Sequence, residues 1–273
     1  MKKYILITGS TDGIGKLAAL QLAKEGHYLY LHGRDPKKLE TVIREIRKEA
    51  HTKTVYGTVA DFSALSQVQK MGNYTAMELS HIDVLINNAG VFKSARSHNA
   101  AGLDLRFTVN YLAPYLLTNI ILPLLKRATR PRVINLSSAA QSSVDLAVLE
   151  GRKTLVFNET YAQSKLALTM WSVHLAEKHQ ELGVIAVNPG SLLNTKMVQE
   201  AYGQYWSSAS KGSTILYDLA VSDEFEGVSG AYFDNDTGDP RGYLSRAHSD
   251  AYDPNKIQDL IHTTDRILKQ QGF

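Results

Sequence analysis

Tyr4-Ile5-Leu6-Ile7-Thr8-Gly9-Ser10-Thr11-Asp12-Gly13-Ile14-Gly15 is the stretch on which the fold turns. Residues 4–8 form a short, almost wholly apolar run, the pattern of a strand covered on both faces in a parallel sheet. Glycines follow at once, and the helical stretch after them carries Ile14, Leu17, Ala18 and Leu22 on one stripe. A strand that enters a helix through glycines lets backbone N–H groups close on a pyrophosphate, and the helix N-terminus adds favourable partial charge. The spacing is Gly-x-x-x-Gly-x-Gly rather than Gly-x-Gly-x-x-Gly, and a plain tight turn is the alternative. The flanking strand and helix favour a dinucleotide site built on Gly9, Ser10, Thr11, Gly13, Ile14 and Gly15.

Further strand-length apolar runs follow at intervals that suit crossover helices. Tyr28 to His32 reads as the second strand and leads into Gly33-Arg34-Asp35-Pro36. An acid closing this strand would accept from the adenosine ribose and repel a 2′-phosphate. Gly33 stands there instead, with the Arg34 guanidinium beside it, so NADP(H) is preferred over NAD(H). Asp35 lies 20 residues after Gly15, where an NAD-type acid is often found, but it also suits the cap of a helix begun by Pro36. The third strand, Thr54 to Val59, ends near Asp61, which either accepts from the adenine amino group or caps the next helix. Val84 to Ile86 leads to Asn87-Asn88-Ala89-Gly90, where small residues allow the close backbone approach that a nicotinamide ribose needs. A long helical stretch from about Leu103 to Arg127 holds Asn110 among apolar neighbours, with a kink or break expected near Pro114. Arg132 to Leu136 and Val184 to Asn188 are strands ending at Ser137-Ser138 and Pro189-Gly190. Residues 230–233 suit a last strand, and Pro254 to Lys269 a closing helix with Ile257, Leu260, Ile261 and Leu268 inward.

Tyr161 and Lys165 sit four apart in Glu159-Thr160-Tyr161-Ala162-Gln163-Ser164-Lys165, on one helical face. A phenol titrates near pH 10, and a neighbouring ammonium is expected to draw it toward neutrality for proton exchange with an alcohol oxygen. The 14 Tyr and 18 Lys of this chain meet at that spacing about once by chance. Tyr252 and Lys256 repeat it, but Asp253 precedes Pro254, which puts Tyr252 before the helix and makes that pair ordinary surface. The strand order expected of an open α/β sheet brings Ser138, Tyr161 and Lys165 together at the carboxyl ends of the strands. Ser138 would there hold the substrate oxygen beside the phenol, and Lys165 would bond the nicotinamide ribose. Ser138 as a mere strand end and Asn110 as a satisfied core amide are the plain alternatives.

At 273 residues the chain fits one domain, 1–273, with no repeat or linker composition and a lid region expected at about 191–228. The +3 charge is spread along the chain, which argues against nucleic acid. Without cysteine there is neither disulfide nor thiolate chemistry, and the nine histidines show no metal spacing. The apolar run at residues 4–8 is short for a secretory signal, and no stretch was expected to reach 18 apolar residues, so the expectation is a cytoplasmic protein with no membrane partner. Trp171 suits the core, whereas Tyr202, Tyr205 and Trp206 suit a substrate lid, packing or a subunit contact. A homodimer through the long helices is compatible with the pattern.

Taken in order, Thr8-Gly9-x-x-x-Gly13-Ile14-Gly15, Asp61, Asn87-Asn88-Ala89-Gly90, Asn110, Ser138, Tyr161-x-x-x-Lys165 and Pro189-Gly190 resemble the short-chain dehydrogenase/reductases. Gly15-Lys16 and the long interval from Ser138 to Tyr161 look like the retinol-dehydrogenase-like branch, although the membrane-anchoring N-terminus of many retinol dehydrogenases is missing. The resemblance implies a Rossmann-type doubly wound parallel sheet in three α/β/α layers, and an NADP(H)-dependent oxidoreductase acting on a small-molecule alcohol or carbonyl. It adds Asn110 as holder of a water in a proton relay next to Lys165. It also makes Thr195, one residue later than usual after Pro189-Gly190, the contact to the nicotinamide amide. A nucleotide-binding regulatory protein without turnover is the rival on the same scaffold. A phosphosugar epimerase-like relative would need a larger substrate domain than the residues beyond Pro189 supply.

Overall fold

The computed structural model describes residues 1–238 and 240–273. Its elements are β1 Tyr4–Ile7, α1 Gly13–Lys24, β2 Tyr28–Gly33, α2 Pro36–Glu49, β3 Val55–Val59, α3 Leu65–Glu78, β4 Val84–Asn87 and a long helix α4, Leu105–Leu125. There follow β5 Arg132–Leu136, a short α5 Leu146–Leu149, α6 Phe157–Lys178, β6 Gly183–Asn188, α7 Lys196–Tyr202, α8 Ala209–Val221, β7 Ala231–Asp234, β8 Tyr243–Ser245 and α9 Pro254–Gln270. One eight-stranded sheet runs in the order β3-β2-β1-β4-β5-β6-β7-β8. Every neighbouring pair is parallel except β7 with β8. The order reverses between β1 and β4, the switch point at whose carboxyl ends open α/β sheets receive their ligands.

Alternation along the strands divides the interior in two. Ile5 and Ile7 join Leu29, Leu31, Ile86, Ile134 and Val187 beneath α1, α2 and α8. Leu6, Leu85, Val133 and Val184 face the other way, against α3, α4, α6 and α9. Trp171 is 1% exposed in that second layer. The stripe of α1 differs from expectation. Leu17 is 36% exposed, and the buried positions are Ile14, Ala18, Ala19, Leu22 and Ala23. Small side chains at 18, 19 and 23 let the helix lie close to its neighbours, which turns Leu17 to the rim. The inward residues expected of α9 are all buried.

Local chemistry sets the helix starts. Asp35 accepts from Lys37 N–H and Lys38 N–H ahead of Pro36, and Asp253 does the same for Asn255 and Lys256 ahead of Pro254. Tyr252 is nevertheless half-buried against the core, with its hydroxyl taking the Ala247 N–H at 3.0 Å, so it is not ordinary surface. Near Pro114, α4 does not break; it widens into a π-helical segment over Thr108–Leu112, with the Ala113 N–H bonded back to Thr108. Pro114 has no N–H to offer the Asn110 carbonyl, and one extra residue in the turn absorbs the mismatch. The antiparallel β8 was not expected at all. Among the described residues α4 alone is long and apolar enough to cross a membrane, and 72% of that window is buried inside the protein.

Candidate functional site

The glycine turn is held by groups that come from three strands. Gly9 and Gly13 have φ of +63° and +53°, left-handed values that favour glycine. A β-carbon on Gly9 would stand 2.6 Å from the Ala89 Cα, and one on Gly15 would stand 2.4 Å from the Asn88 side-chain nitrogen. These glycines exist because the turn after β4 lies directly against the turn after β1. Asn88 Nδ2 donates to the Thr8 and Gly9 carbonyls at 2.8 Å each, and Thr8 Oγ1 accepts from the Asn88 and Ala89 N–H groups at 3.0 Å. From β2, His32 Nδ1 accepts the Gly9 N–H at 3.1 Å while Nε2 lies 2.9 Å from the Ala60 carbonyl. With Phe62 stacked on it at 4.1 Å, burial pushes the imidazole down to about 4, so it stays neutral.

That network decides which side chains of the turn face outward. Ser10 was expected to bind cofactor, but its hydroxyl is buried and donates to the Ile7 carbonyl at 3.0 Å, so only its backbone borders the crevice. Asn88 is likewise committed to the scaffold through its amide. Asp12 caps α1 by accepting from Gly13 N–H at 2.8 Å. Asp61 accepts from Ser63 N–H at 2.9 Å within its own loop and does not cap α3, whose N-cap is Ala64 with no side-chain bond. Arg34 is exposed just beyond Gly33, and Gly33 packs so closely that a β-carbon would lie 2.4 Å from the Thr11 methyl. Beside it opens a cavity of about 360 Å³ lined by Thr11, Asp12, Lys16, Lys37, Lys38 and Glu45 among others. Lys16 pairs with Glu45 and Lys38 with Asp12; among the described residues Arg34 and Lys37 make no ion pair.

The second half of the crevice is built at the end of β5 and on α6. Ser138 lies two residues past the last β5 position paired to β6. Its Oγ accepts from Ala140 N–H at 3.1 Å, and the hydroxyl lies near enough to the Tyr161 phenol to pull its titration downward. Lys165 is 5% exposed; its Nζ donates to the Leu136 carbonyl at 2.6 Å and lies 5.6 Å from the centre of the Tyr161 ring. Gly90 closes this corner, with space for a β-carbon 3.7 Å from Lys165 Nζ and 3.4 Å from Asn110 Oδ1. Asn110 sits in the π-helical segment. Its Oδ1 accepts from Val91 N–H at 2.8 Å, and its Nδ2 donates to the Val91 carbonyl and to Ser164 Oγ, each at 3.0 Å. It is the satisfied core amide of the plainer reading, and what it holds is the backbone beyond Gly90.

The expected lowering of the phenol by Lys165 is not what the structure shows. Burial pushes Tyr161 up to about 12, with the Ser138 hydroxyl pulling the other way, and burial pushes Lys165 down to about 8. Tyr161 therefore carries its proton at neutral pH, the form that can donate to a carbonyl oxygen. Phe92 covers the phenol edge-on with ring centres 4.7 Å apart, and Phe157 and Tyr202 pack on Phe92 at 5.4 and 5.5 Å. Lys93 Nζ donates to the Ala201 carbonyl at 2.9 Å, which ties α7 to this wall. Tyr202 packs on this wall through Phe92 although it is 54% exposed; Tyr205 and Trp206 are 52% and 74% exposed.

Thr195 caps α7, and its methyl would touch a β-carbon on Gly13 at 3.5 Å, so it does reach the glycine turn. Pro189-Gly190 is clamped from β7: Asn235 Nδ2 donates to the Pro189 carbonyl at 3.0 Å, and Asp236 accepts from Ser191 N–H at 2.7 Å. His32, Asn235 and Asp236 were not singled out from sequence. A histidine and an Asn-Asp pair closing strands were the only signals.

Two left-handed glycines and the start of a 12-residue helix stand at the carboxyl end of β1, the backbone arrangement that receives a pyrophosphate in a dinucleotide turn.

Residues 3–206 match the family model described as short chain dehydrogenase. Retinol dehydrogenase 13 of Mus musculus is 34% identical over 254 residues, covering 85% of this chain and 75% of that protein. Polyprenol dehydrogenase of Homo sapiens is 29% identical over 255 residues, covering 86% and 77%. A crystal structure of a short chain dehydrogenase from Escherichia coli CFT073, complexed with NADPH, superposes with a TM-score of 0.71 at 26% identity over 85% of this chain and 95% of that one. One of a protein from Mycobacterium Paratuberculosis superposes at 0.80 over 98% and 93%, at 24% identity, a likeness of fold.

Proposed function

Because the chain belongs to the short-chain dehydrogenase/reductase family, in its retinol-dehydrogenase-like branch, we propose that it is an NADP(H)-dependent oxidoreductase with Tyr161 as general acid/base. It interconverts an alcohol and a ketone or aldehyde. The observation that carries this reading is the meeting of Ser138, Tyr161 and Lys165 beside Gly90, across the crevice from the glycine turn. The dinucleotide, when bound, supplies or accepts the hydride. The backbone N–H groups of Thr11 and Ile14, in the turn shaped by Gly9 and Gly13, with the Ala89-Gly90 turn, Pro189, Gly190 and Thr195, would hold it, and Lys165 Nζ would reach its ribose. Ser138 Oγ holds the substrate oxygen against the phenol, so the proton travels a short, oriented path. In reduction Tyr161 Oη gives its proton to that oxygen; in oxidation it takes one back.

NADP(H) over NAD(H) is supported by Gly33 in place of an acid, by Asp35 being spent on the α2 cap, and by Arg34 and Lys37 being free of ion pairs among the described residues. The wall of Phe92, Phe157 and Tyr202 suits an apolar substrate. We read residues 1–273 as one domain with the segment at about 191–228 as its lid, and the protein as cytoplasmic, with α4 serving the core. A homodimer would show as twice the 30.2 kDa chain mass in light scattering.

Tyr161→Phe removes one oxygen and leaves the ring beneath Phe92. NADPH-dependent reduction across an aldehyde and ketone panel is expected to fall by about 100-fold or more, with NADPH binding retained. Undiminished turnover would overturn the assignment, and tight binding of NADPH by a wild-type protein that turns over nothing would favour a regulatory nucleotide-binding protein.

A further inference from the structure

Ser138 has left the sheet ladder, because the last β5 residue paired to β6 is Leu136. Something else must fix its backbone if its hydroxyl is to stay aimed at Tyr161. The structure supplies two donors to its carbonyl. Tyr232 Oη donates at 3.0 Å from β7, 94 residues downstream, and Gln141 Nε2 donates at 2.8 Å from the turn that follows. Tyr232 is 4% exposed, with its ring in the sheet layer two strands from β5. Burial drives its phenol upward, so it remains a donor throughout the working pH range. The Gln141 carboxamide is itself held at its other end, where it accepts from His248 N–H at 3.3 Å. On the opposite side of the same residue, Ser138 Oγ accepts from Ala140 N–H and faces the Tyr161 phenol.

We propose that Tyr232 is a positioning residue for the reaction: its hydroxyl, acting with Gln141, grips the Ser138 carbonyl and thereby sets the direction of the Ser138 hydroxyl toward Tyr161. The proposal rests on the reading of Ser138 and Tyr161 as the pair that handles the substrate oxygen. Tyr232 touches neither end of that reaction; it acts through a backbone that no neighbouring strand restrains. A displacement of about 1 Å at such a group is enough to slow turnover by up to about 100-fold, whereas one lost hydrogen bond to a still-bonded carbonyl allows only partial drift.

Tyr232→Phe keeps the buried ring and deletes the one oxygen. Steady-state reduction of a carbonyl panel with NADPH, together with a fluorescence titration of NADPH, is to be run on wild type, Tyr232→Phe, Ser138→Ala and the double variant. The expected result is a roughly tenfold loss of kcat in Tyr232→Phe with NADPH affinity unchanged. The double variant is expected to be no slower than Ser138→Ala alone, because the strut has nothing left to aim. Gln141→Leu, a half-exposed position, repeats the test from the second donor and should show the same pattern. Unchanged kcat in both strut variants, or losses that multiply with Ser138→Ala, would overturn the proposal and leave Tyr232 a packing residue. If instead Ser138→Ala and Tyr161→Phe both turn over like wild type, the reading beneath the proposal fails and takes it along.

Discussion

Replacing Lys165 with methionine should make the protein more stable at neutral pH while stopping its chemistry. The side chain is 5% exposed, and burial holds its ammonium at about 8 against an ordinary 10.5. Each unit of difference corresponds to about 1.4 kcal/mol, so keeping Lys165 charged inside the fold costs about 3 kcal/mol at pH 7. The folded form binds this proton more weakly than the unfolded chain does. The cost is therefore complete below pH 8, shrinks as pH rises from 8 to 10.5, and is gone above that. Against it stands the hydrogen bond from Nζ to the Leu136 carbonyl, whose loss leaves that oxygen short of a donor and costs about 1 kcal/mol. Methionine has a similar length and fills the same space without a charge. Lys165→Met is expected to unfold with a free energy about 2 kcal/mol above wild type at pH 7, and within about 1 kcal/mol of it at pH 10.5. Urea unfolding followed by circular dichroism at pH 7, 9 and 10.5 reads both numbers. A variant no more stable than wild type at pH 7, or a difference that ignores pH, would show that Lys165 is not held against its own desolvation.

His32 carries the mirror-image expectation on the acid side. Its imidazole is held down to about 4, so the unfolded chain takes up a proton near pH 6.5 that the native state refuses; wild type should lose about 3 kcal/mol between pH 6.5 and 4, and His32→Gln should lack that slope in the same unfolding assay. Gly15→Ala puts a methyl 2.4 Å from Asn88 Nδ2 and 2.8 Å from the Gly9 carbonyl. The clash should cost about 2–4 kcal/mol and weaken NADPH binding in a titration, since the two turns must part to admit it. Arg34→Ala should lower affinity for NADPH by about tenfold and leave NADH nearly untouched, and the wild-type preference should fade with added salt.

Much of the site was legible because its parts are local. Gly9, Gly13 and Gly15 announce a turn that no β-carbon can enter, and Tyr161 with Lys165 shares a helical face by spacing alone. Asp35 read correctly as a cap because proline follows it. Other readings failed where a residue's neighbour comes from elsewhere in the chain. Ser10 turns its hydroxyl inward because β2 offers it the His32 carbonyl; Leu17 faces out because α1 sits close through its alanines. His32 itself had no local mark, since its value lies in an imidazole nitrogen reaching Gly9 across a strand boundary.

Period and composition along the chain thus determined the parallel sheet, its helices and the identity of the phenol–ammonium pair, because hydrophobic alternation and helical spacing are properties of neighbouring residues. Only the tertiary structure decided the protonation of that pair, the pinning of Ser138 by Tyr232 and the aromatic cover of Phe92 and Tyr202. Each of these depends on how much water is removed from a group and on which distant side chain replaces it, and neither quantity exists until the strands are in order.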